Sequence, residues 1–388
     1  MNFDWQTEDD NWGAPPPATP EPPPADRSHW RWVGLATFIL LLLTTSGWYL
    51  YRQANNRVAE VEALLEEEVL ASHRLVRQAA AEADYEIFVQ VLSGRDPEWV
   101  AGRRELLIGG QFFDRRGLGM AHLQPTAEPQ VNELIFSPDL TTATMATNET
   151  YAIDVGNGLS DTVVLAHNAV YRRGPDSWLY SPPLEDEWGG WITQEGRYLT
   201  LIFPEAEAEI ARRLAVDLET KLAAFCAGAA GFACPADFHR VVRLSKEPES
   251  LLLRADLQSL SDLSATGEVV LPAPRLVGRP VEEDGYRALL RGYAYYVVGG
   301  ALLQLVDYDC CDQELFMQAV VDQVLADLAL RPRPLHRDAY RELYQAGMEI
   351  ADPYISWNSR AVQPDGAAQH EAAAVSGFVR HVAPETSL

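Results

Sequence analysis

VGLATFILLLLTTSGWYLY, residues Val33 to Tyr51, is nineteen residues long and carries no charge. A helix needs about twenty mostly apolar residues to cross the hydrocarbon of a bilayer, because lipid offers backbone amides no partner and only a helix satisfies them internally. The stretch therefore predicts one transmembrane helix over residues 32–52, with the lipid bilayer as its first partner through Val33 to Tyr51. Trp30 and Trp32 lie at one rim, and Trp48, Tyr49 and Tyr51 at the other. Amphipathic rings settle there at headgroup depth, and Arg31 and Arg52 fence the run. A cleaved signal peptide would have a basic start, an apolar region of about 7–15 residues and a small-residue cleavage site. Here an acidic leader precedes a longer core that ends in bulky residues, so an uncleaved anchor is the better reading. Arg27 and Arg31 are matched by Arg52 and Arg57, so the positive-inside rule discriminates little. A first span with a short leader leaves that leader in the cytoplasm, which places Arg52 to Leu388 outside it.

The leader, residues 1–31, contains FDWQTEDDNW and PPPATPEPPP. It has too few apolar residues to offset the entropy of ordering, and the prolines favour polyproline II, so a disordered tail is expected. Trp5 and Trp12 among acids also suit a docking peptide for a basic groove. In the whole chain, 388 residues with 47% hydrophobic and 22% charged, the net charge is -25. Lys221 and Lys246 are the only lysines. That balance excludes the usual nucleic-acid binder, which neutralises phosphates with Lys and Arg.

After the span, Gln53 to Ser93 reads as helix. Val58, Val61, Leu65, Val69, Val76, Ala80, Ala83 and Ile87 recur near 3.6 residues, with Glu66, Glu67, Glu68, Arg74 and Arg77 assigned to other faces. Asp96-Pro97-Glu98 opens a second helix, because Pro suits the first turn and acids complement its dipole; it runs to about Gly109. Strands are expected at Val131–Phe136, Thr142–Asp154, Thr162–Arg173 and Trp178–Ser181, separated by turn residues. Helices followed by a curved antiparallel meander make an α+β unit over residues 53–190. With its closing YRRGPDSWLYSPP, this order of elements resembles the SnoaL-like or nuclear-transport-factor-like cone. Members of that fold range from isomerases to non-catalytic binding modules, so the resemblance implies an architecture and leaves the activity open.

Residues 191–352 read as a smaller β/α domain ending in an all-helical part. Strands are expected at Tyr198–Phe203, His239–Leu244, Leu251–Leu253 and Val269–Leu271. Helices are expected at Pro204–Gly228, Tyr286–Val306, Gln313–Leu330 and His336–Ile350. Residues 353–388 form a tail with one short helix at Ala367–Val382. The layout from Gly196 to Asp352 resembles the front half of a gluzincin, a peptidase-MA-like metallopeptidase. That family requires HExxH on a helix, two His one turn apart on zinc with a Glu activating its water. No HExxH occurs here, and His370-Glu371 has Ala374 where the second His belongs. The resemblance therefore implies a fold without metal or peptidase activity, and no cofactor is expected.

No GxSxG, P-loop, GxGxxG or EF-hand loop is present either. Four cysteines, Cys226, Cys234, Cys310 and Cys311, allow three pairings. In an oxidising compartment Cys226 and Cys234 would clip the loop between them; buried thiols are the alternative. The place to look for a pocket is the open end of the cone. By alternation Leu165, His167, Ala169 and Tyr171 share one strand face, and Met145, Glu149, Tyr151 and Ile153 another. If both point inward, Glu149, Tyr151, His167 and Tyr171 form a polar, aromatic-lined ligand site suited to orienting a ligand or to acid/base work. The plainer reading makes them ordinary strand residues. Together these features describe a single-pass, membrane-anchored, extracytoplasmic binding or regulatory protein without catalysis, with a small ligand or a protein as partner. An envelope hydrolase or isomerase with an unrecognised site, and a structural subunit of an envelope assembly, are the alternatives.

Overall fold

A computed structural model of the chain describes residues 27–126, 130–156, 159–228, 233–306, 308 and 314–330. The leader up to Asp26, the helices expected at 336–350 and 367–382, the tail from 353, and Cys310 and Cys311 lie outside the described residues. The fold is α+β, with helices, a curled antiparallel half-barrel of six strands and a second sheet of four. The chain divides into two units, residues 1–65 and 66–388.

Helix α1, Arg27–Ala81, begins inside the stretch expected to be leader. In its first part Leu40, Leu41, Leu43, Trp48 and Tyr51 are exposed. Thr45 Oγ1 donates to the Leu41 carbonyl at 2.7 Å and Thr44 Oγ1 to that of Leu40 at 3.0 Å, so these hydroxyls are satisfied within the helix. Among the described residues no helix is long and apolar enough to cross a membrane.

In the second unit α1 ends earlier than the periodicity suggested. Ala83 adopts φ 54, a left-handed conformation that breaks a helix of L-residues. Asp84 then caps α2, Tyr85–Gln90, accepting from the Ile87 N–H at 3.0 Å, the usual role of a short acidic side chain at an N-cap. Ala83 and Ile87, expected on the buried face, are consequently exposed. Asp96 caps α3, Pro97–Ile108, in the same way, with Pro97 in the first turn.

The half-barrel consists of β1 (Met120–His122), β2 (Gln130–Phe136), β3 (Thr142–Gly156), β4 (Leu159–Arg173) and β5 (Trp178–Ser181), completed by a strand from far along the chain. Its spine is the long hairpin of β3 and β4, paired from Thr142↔Arg172 to Gly156↔Leu159. β1 and β2 share the outer edge of β3, with a bulge in β2 between Val131 and Glu133. Bulges of this kind increase local twist and curl a sheet.

The second sheet, in the order β6-β7-β8-β9, comprises β6 (Trp191–Glu195), β7 (Leu199–Pro204), β8 (Arg240–Ser245) and β9 (Glu268–Pro272). β7, β8 and β9 are parallel, linked by α4 (Ala208–Cys226) and α5 (Leu257–Ala265). The strand expected at Leu251–Leu253 is absent, because Pro248–Leu251 closes a 3-10 turn there. After α6, Pro274–Val277, the chain turns through Gly278 into β10, Arg279–Pro280, which pairs with Leu165 and Ala166 of β4. Then follow α7, Glu283–Leu305, and α8, Glu314–Asp327.

Sixteen residues of α7 are buried on all sides, the pattern of a helix inside a core rather than on a surface. Tyr293 there donates its hydroxyl to the Pro272 carbonyl at 2.6 Å, and Tyr296 to that of Gly117 at 2.8 Å. One hydrophobic core contains α7, the inner faces of β7, β8 and β9, and Met120, Tyr151, Val163 and Leu165 of the half-barrel. Residues expected to form two domains thus share a core across position 190. Cys226 and Cys234 form a disulfide at the end of α4.

Candidate functional site

A cavity of about 100 Å³ opens in the half-barrel. The alternation of β3 and β4 brings Glu149, Tyr151, His167 and Tyr171 to its wall, so all four residues expected in the cone line one space. The other groups come from elements whose sequence reads as ordinary surface. His73 and Arg77 come from α1, Arg103 from α3, and His122 from the short β1.

Glu149 sits at the centre of one cluster. Its Oε1 accepts from Arg77 Nη1 at 2.5 Å, and its Oε2 from Arg77 Nη2 at 3.3 Å and His122 Nε2 at 2.5 Å. The backbone N–H of Gln124 donates to His122 Nδ1 at 3.2 Å. That bond requires an unprotonated Nδ1 and places the ring hydrogen on Nε2, where it donates to Glu149. Arg77 also reaches the Pro125 carbonyl at 3.0 Å and lies over the Phe113 ring. Burial opposes ionisation of Glu149, but the His122 hydrogen bond and the Arg77 charge outweigh it and hold the carboxyl at about 2. Arg77 is itself buried, whereas the helical pattern assigned it to an outward face.

Two tyrosine–histidine pairs complete the wall. Tyr151 Oη and His167 Nε2 are 3.0 Å apart, and Tyr171 Oη and His73 Nδ1 are 2.7 Å apart. Burial, reinforced by Arg115, lowers His167 to about 3; burial and Arg77 lower His73 to about 4. Both rings are neutral at physiological pH. Burial raises the Tyr151 hydroxyl to about 12 and Tyr171 well above its ordinary value. Gly278, at φ +117, passes so close to His167 that a Cβ there would lie 2.6 Å from Nε2. Only glycine fits both that conformation and that approach.

Two further arginines shape the cavity differently. Arg115 is buried and spends its donors on carbonyls, those of Val277 at 3.1 Å and Phe113 at 2.9 Å among them. It ties the loop before β1 to α6. Arg103 makes no such bonds: its guanidinium lies 5.3 Å from the centroids of both Trp99 and Tyr180, and burial lowers its proton affinity. Among the described residues no group of three or more His, Cys, Asp or Glu is arranged to hold a metal ion.

Sequence reasoning missed His73, Arg77, His122 and Arg103. One signal was available for the first two. His73 and Arg77 are four residues apart and in phase with Val69, Val76 and Ala80, all buried. Such spacing places a polar pair on the buried face of the helix.

Compared with known protein families, curated proteins and solved structures, the chain matches no family model, no curated protein and no solved structure.

Proposed function

We propose that this chain is a single-pass, membrane-anchored protein with its leader in the cytoplasm and its bulk outside, whose half-barrel binds a small ligand without transforming it. In this reading the half-barrel is a SnoaL-like cone, and the peptidase-like second half is scaffold. The observation that carries the non-catalytic part is the locking of the cavity's protons. Acid/base catalysis works best with a group that titrates near the working pH. Here Glu149 is held at about 2, His167 at about 3, His73 at about 4 and Tyr151 at about 12. Both nitrogens of His122 are committed to hydrogen bonds.

The anchor is supported by the nineteen uncharged residues from Val33 to Tyr51 and by threonine hydroxyls bonded within the helix, as hydrocarbon demands. The Cys226–Cys234 disulfide suits an oxidising compartment. The convergence of Glu149 and His167 on one cavity favours a second reading, a small-molecule isomerase, against which the same proton affinities weigh.

The test uses the full chain in detergent micelles. Thermal unfolding is followed with a panel of small anions, cations and neutral compounds, for the wild type and for Ala169→Phe, which fills the cavity. At least one compound should raise the wild-type melting temperature and leave Ala169→Phe unmoved. If no compound acts and Ala169→Phe is simply more stable, the cavity is a packing vacancy and the binding reading is wrong. An alkaline phosphatase fused after Leu388 should be active in cells, and an inactive fusion sinks the orientation.

A further inference from the structure

The cavity has a charge opposite to that of the molecule. The chain carries a net -25, yet four arginines, Arg77, Arg103, Arg115 and Arg275, line the cavity against two glutamates, Glu149 and Glu187. Arg77 is neutralised by Glu149, Arg275 lies 3.7 Å from Glu187 and 3.9 Å from Glu207, and Arg115 is saturated by backbone carbonyls. Among the described residues Arg103 is left with two aromatic rings and no carboxylate. A guanidinium taken from water without a hydrogen-bonding anion is costly to keep.

The unsatisfied atoms point the same way. On residues lining the cavity, the buried side-chain nitrogens and oxygens without a hydrogen-bond partner are Arg77 Nε, Arg103 Nε, Arg275 Nε and His73 Nε2. Three are obligate donors and none is an oxygen. The His73–Tyr171 pair adds to the surplus. With the imidazole neutral, the pair holds two polar hydrogens, and their mutual bond consumes one. Whichever tautomer is present, one hydrogen is left to give.

We infer that the cavity is the site of a small monocarboxylate, its two oxygens held by the Arg103 fork. This rests on the reading of the half-barrel as a binding cavity and names the chemical class it takes. The planar fork of arginine matches a carboxylate through two parallel hydrogen bonds. Of the four lining guanidinia, Arg103 is the one with neither a carboxylate nor a carbonyl partner among the described residues, and one such free fork fits one carboxylate. About 100 Å³ holds roughly three water-sized groups, which limits the acid to a few carbons. Phe112, Phe113 and Trp188, which also line the cavity, suit a short apolar tail.

The probe is sodium propionate, added to the full chain in detergent micelles at neutral pH, with binding read from tryptophan fluorescence and from the rise in melting temperature. Propionate should bind, and its uncharged isostere propionamide should bind at least about tenfold more weakly, as expected when a charge-assisted pair is lost. Arg103→Met should weaken propionate by about tenfold to a hundredfold while the ligand-free protein melts at the same temperature or higher, since the half-buried guanidinium leaves no carboxylate partner behind when it is removed. Arg103→Lys keeps the charge without the fork, folds in the same space, and should also lose most of the affinity.

Equal binding of propionate and propionamide, or undiminished binding by Arg103→Lys together with a lower melting temperature of ligand-free Arg103→Met, would show Arg103 to be structural and overturn the inference. Binding of inorganic phosphate but not propionate overturns the carboxylate class, and binding only of a neutral or cationic compound overturns the anion, each leaving the cavity a binding site. If no compound binds at all, the underlying reading falls with the inference.

Discussion

The two sheets bury tyrosines differently. Behind β7, β8 and β9 the hydroxyl of Tyr293 finds a carbonyl at 2.6 Å, among the fully buried Leu201, Val242, Leu271 and Leu302. Inside the half-barrel Tyr151 and Tyr171 find histidines, and the surrounding wall retains donors with nothing to bind. Behind the second sheet the hydroxyls of Tyr293 and Tyr296 end on backbone carbonyls; in the half-barrel those of Tyr151 and Tyr171 end on neutral histidines, and each such pair keeps one hydrogen to give. Native interiors satisfy nearly all their polar groups; Arg240 Nε and Nη2 of β8 are orphaned within packed core, whereas the orphaned donors of Arg77, Arg103 and Arg275 belong to residues that line a cavity, where a ligand can meet them.

Acid should break this comparison most strongly. His73 and His167 are kept neutral by burial, at about 4 and about 3 against an ordinary 6.5. Between 6.5 and those values the unfolded chain binds more protons than the folded one, so stability falls as pH falls. Two such groups give a slope of up to about 2.7 kcal/mol per pH unit. Glu149, held at about 2 against 4.5, adds stability that is full above 4.5 and lost as pH falls toward 2. Urea unfolding of the full chain at pH 7, 6 and 5 should show a steep decline, flattened in the His73→Gln, His167→Gln double variant. Unchanged stability over that range would mean that the rings are not buried neutral.

Single substitutions come next in size. Glu149→Gln leaves Arg77 buried beside a neutral amide and should cost about 3–5 kcal/mol. Leu302→Ala, in a fully packed site, should cost about 3 kcal/mol through lost burial and a cavity. The two differ in how they are rescued. Removing both charges, with Arg77→Met and Glu149→Met together, should recover most of the first loss, because well-packed apolar groups replace a buried ion pair at little cost. If the double variant is no more stable than Glu149→Gln in denaturant unfolding, the pair does more for the fold than compensate itself.

How much of this was legible depended on element length. The strands now seen at Gln130–Phe136 and Trp178–Ser181 were readable because alternation persisted between turn residues, and α3 because Asp96 and Pro97 mark a helix start. β1 and β10, three and two residues long, offer no period to read. Nothing at Ala83 announces a break, because the residue there is neither Gly nor Pro. The same limit applied to the site. Glu149, Tyr151, His167 and Tyr171 alternate on two long strands, so their meeting could be deduced from the pleat. Arg103 lies in a helix whose charged residues look like a solvated face, and only tertiary packing against Tyr180 turns it inward. Arg77 was misassigned for a related reason. Its partner Glu149 is far off in sequence, and without that partner a buried arginine is the less economical assumption.

The smallest effects sharpen the contrast between a tyrosine that completes a fold and one that equips a site. Tyr293→Phe removes one hydroxyl and leaves the Pro272 carbonyl without its donor, at a cost of about 1 kcal/mol. Tyr171→Phe leaves His73 Nδ1 without its partner and should cost a similar amount, so stability alone will not separate the two. Ligand response will. If the surplus hydrogen of the His73–Tyr171 pair is offered to a ligand, Tyr171→Phe lets His73 rotate or change tautomer, and the melting shift produced by a cavity ligand shrinks. Tyr293→Phe, remote from the cavity wall, leaves that shift intact. The pair of variants should be compared as the difference in melting temperature with and without ligand. Equal shifts in both would mean that the Tyr171 hydroxyl serves the half-barrel as Tyr293 serves the core, and that the unpaired donors of the cavity-lining arginines carry the ligand response without it.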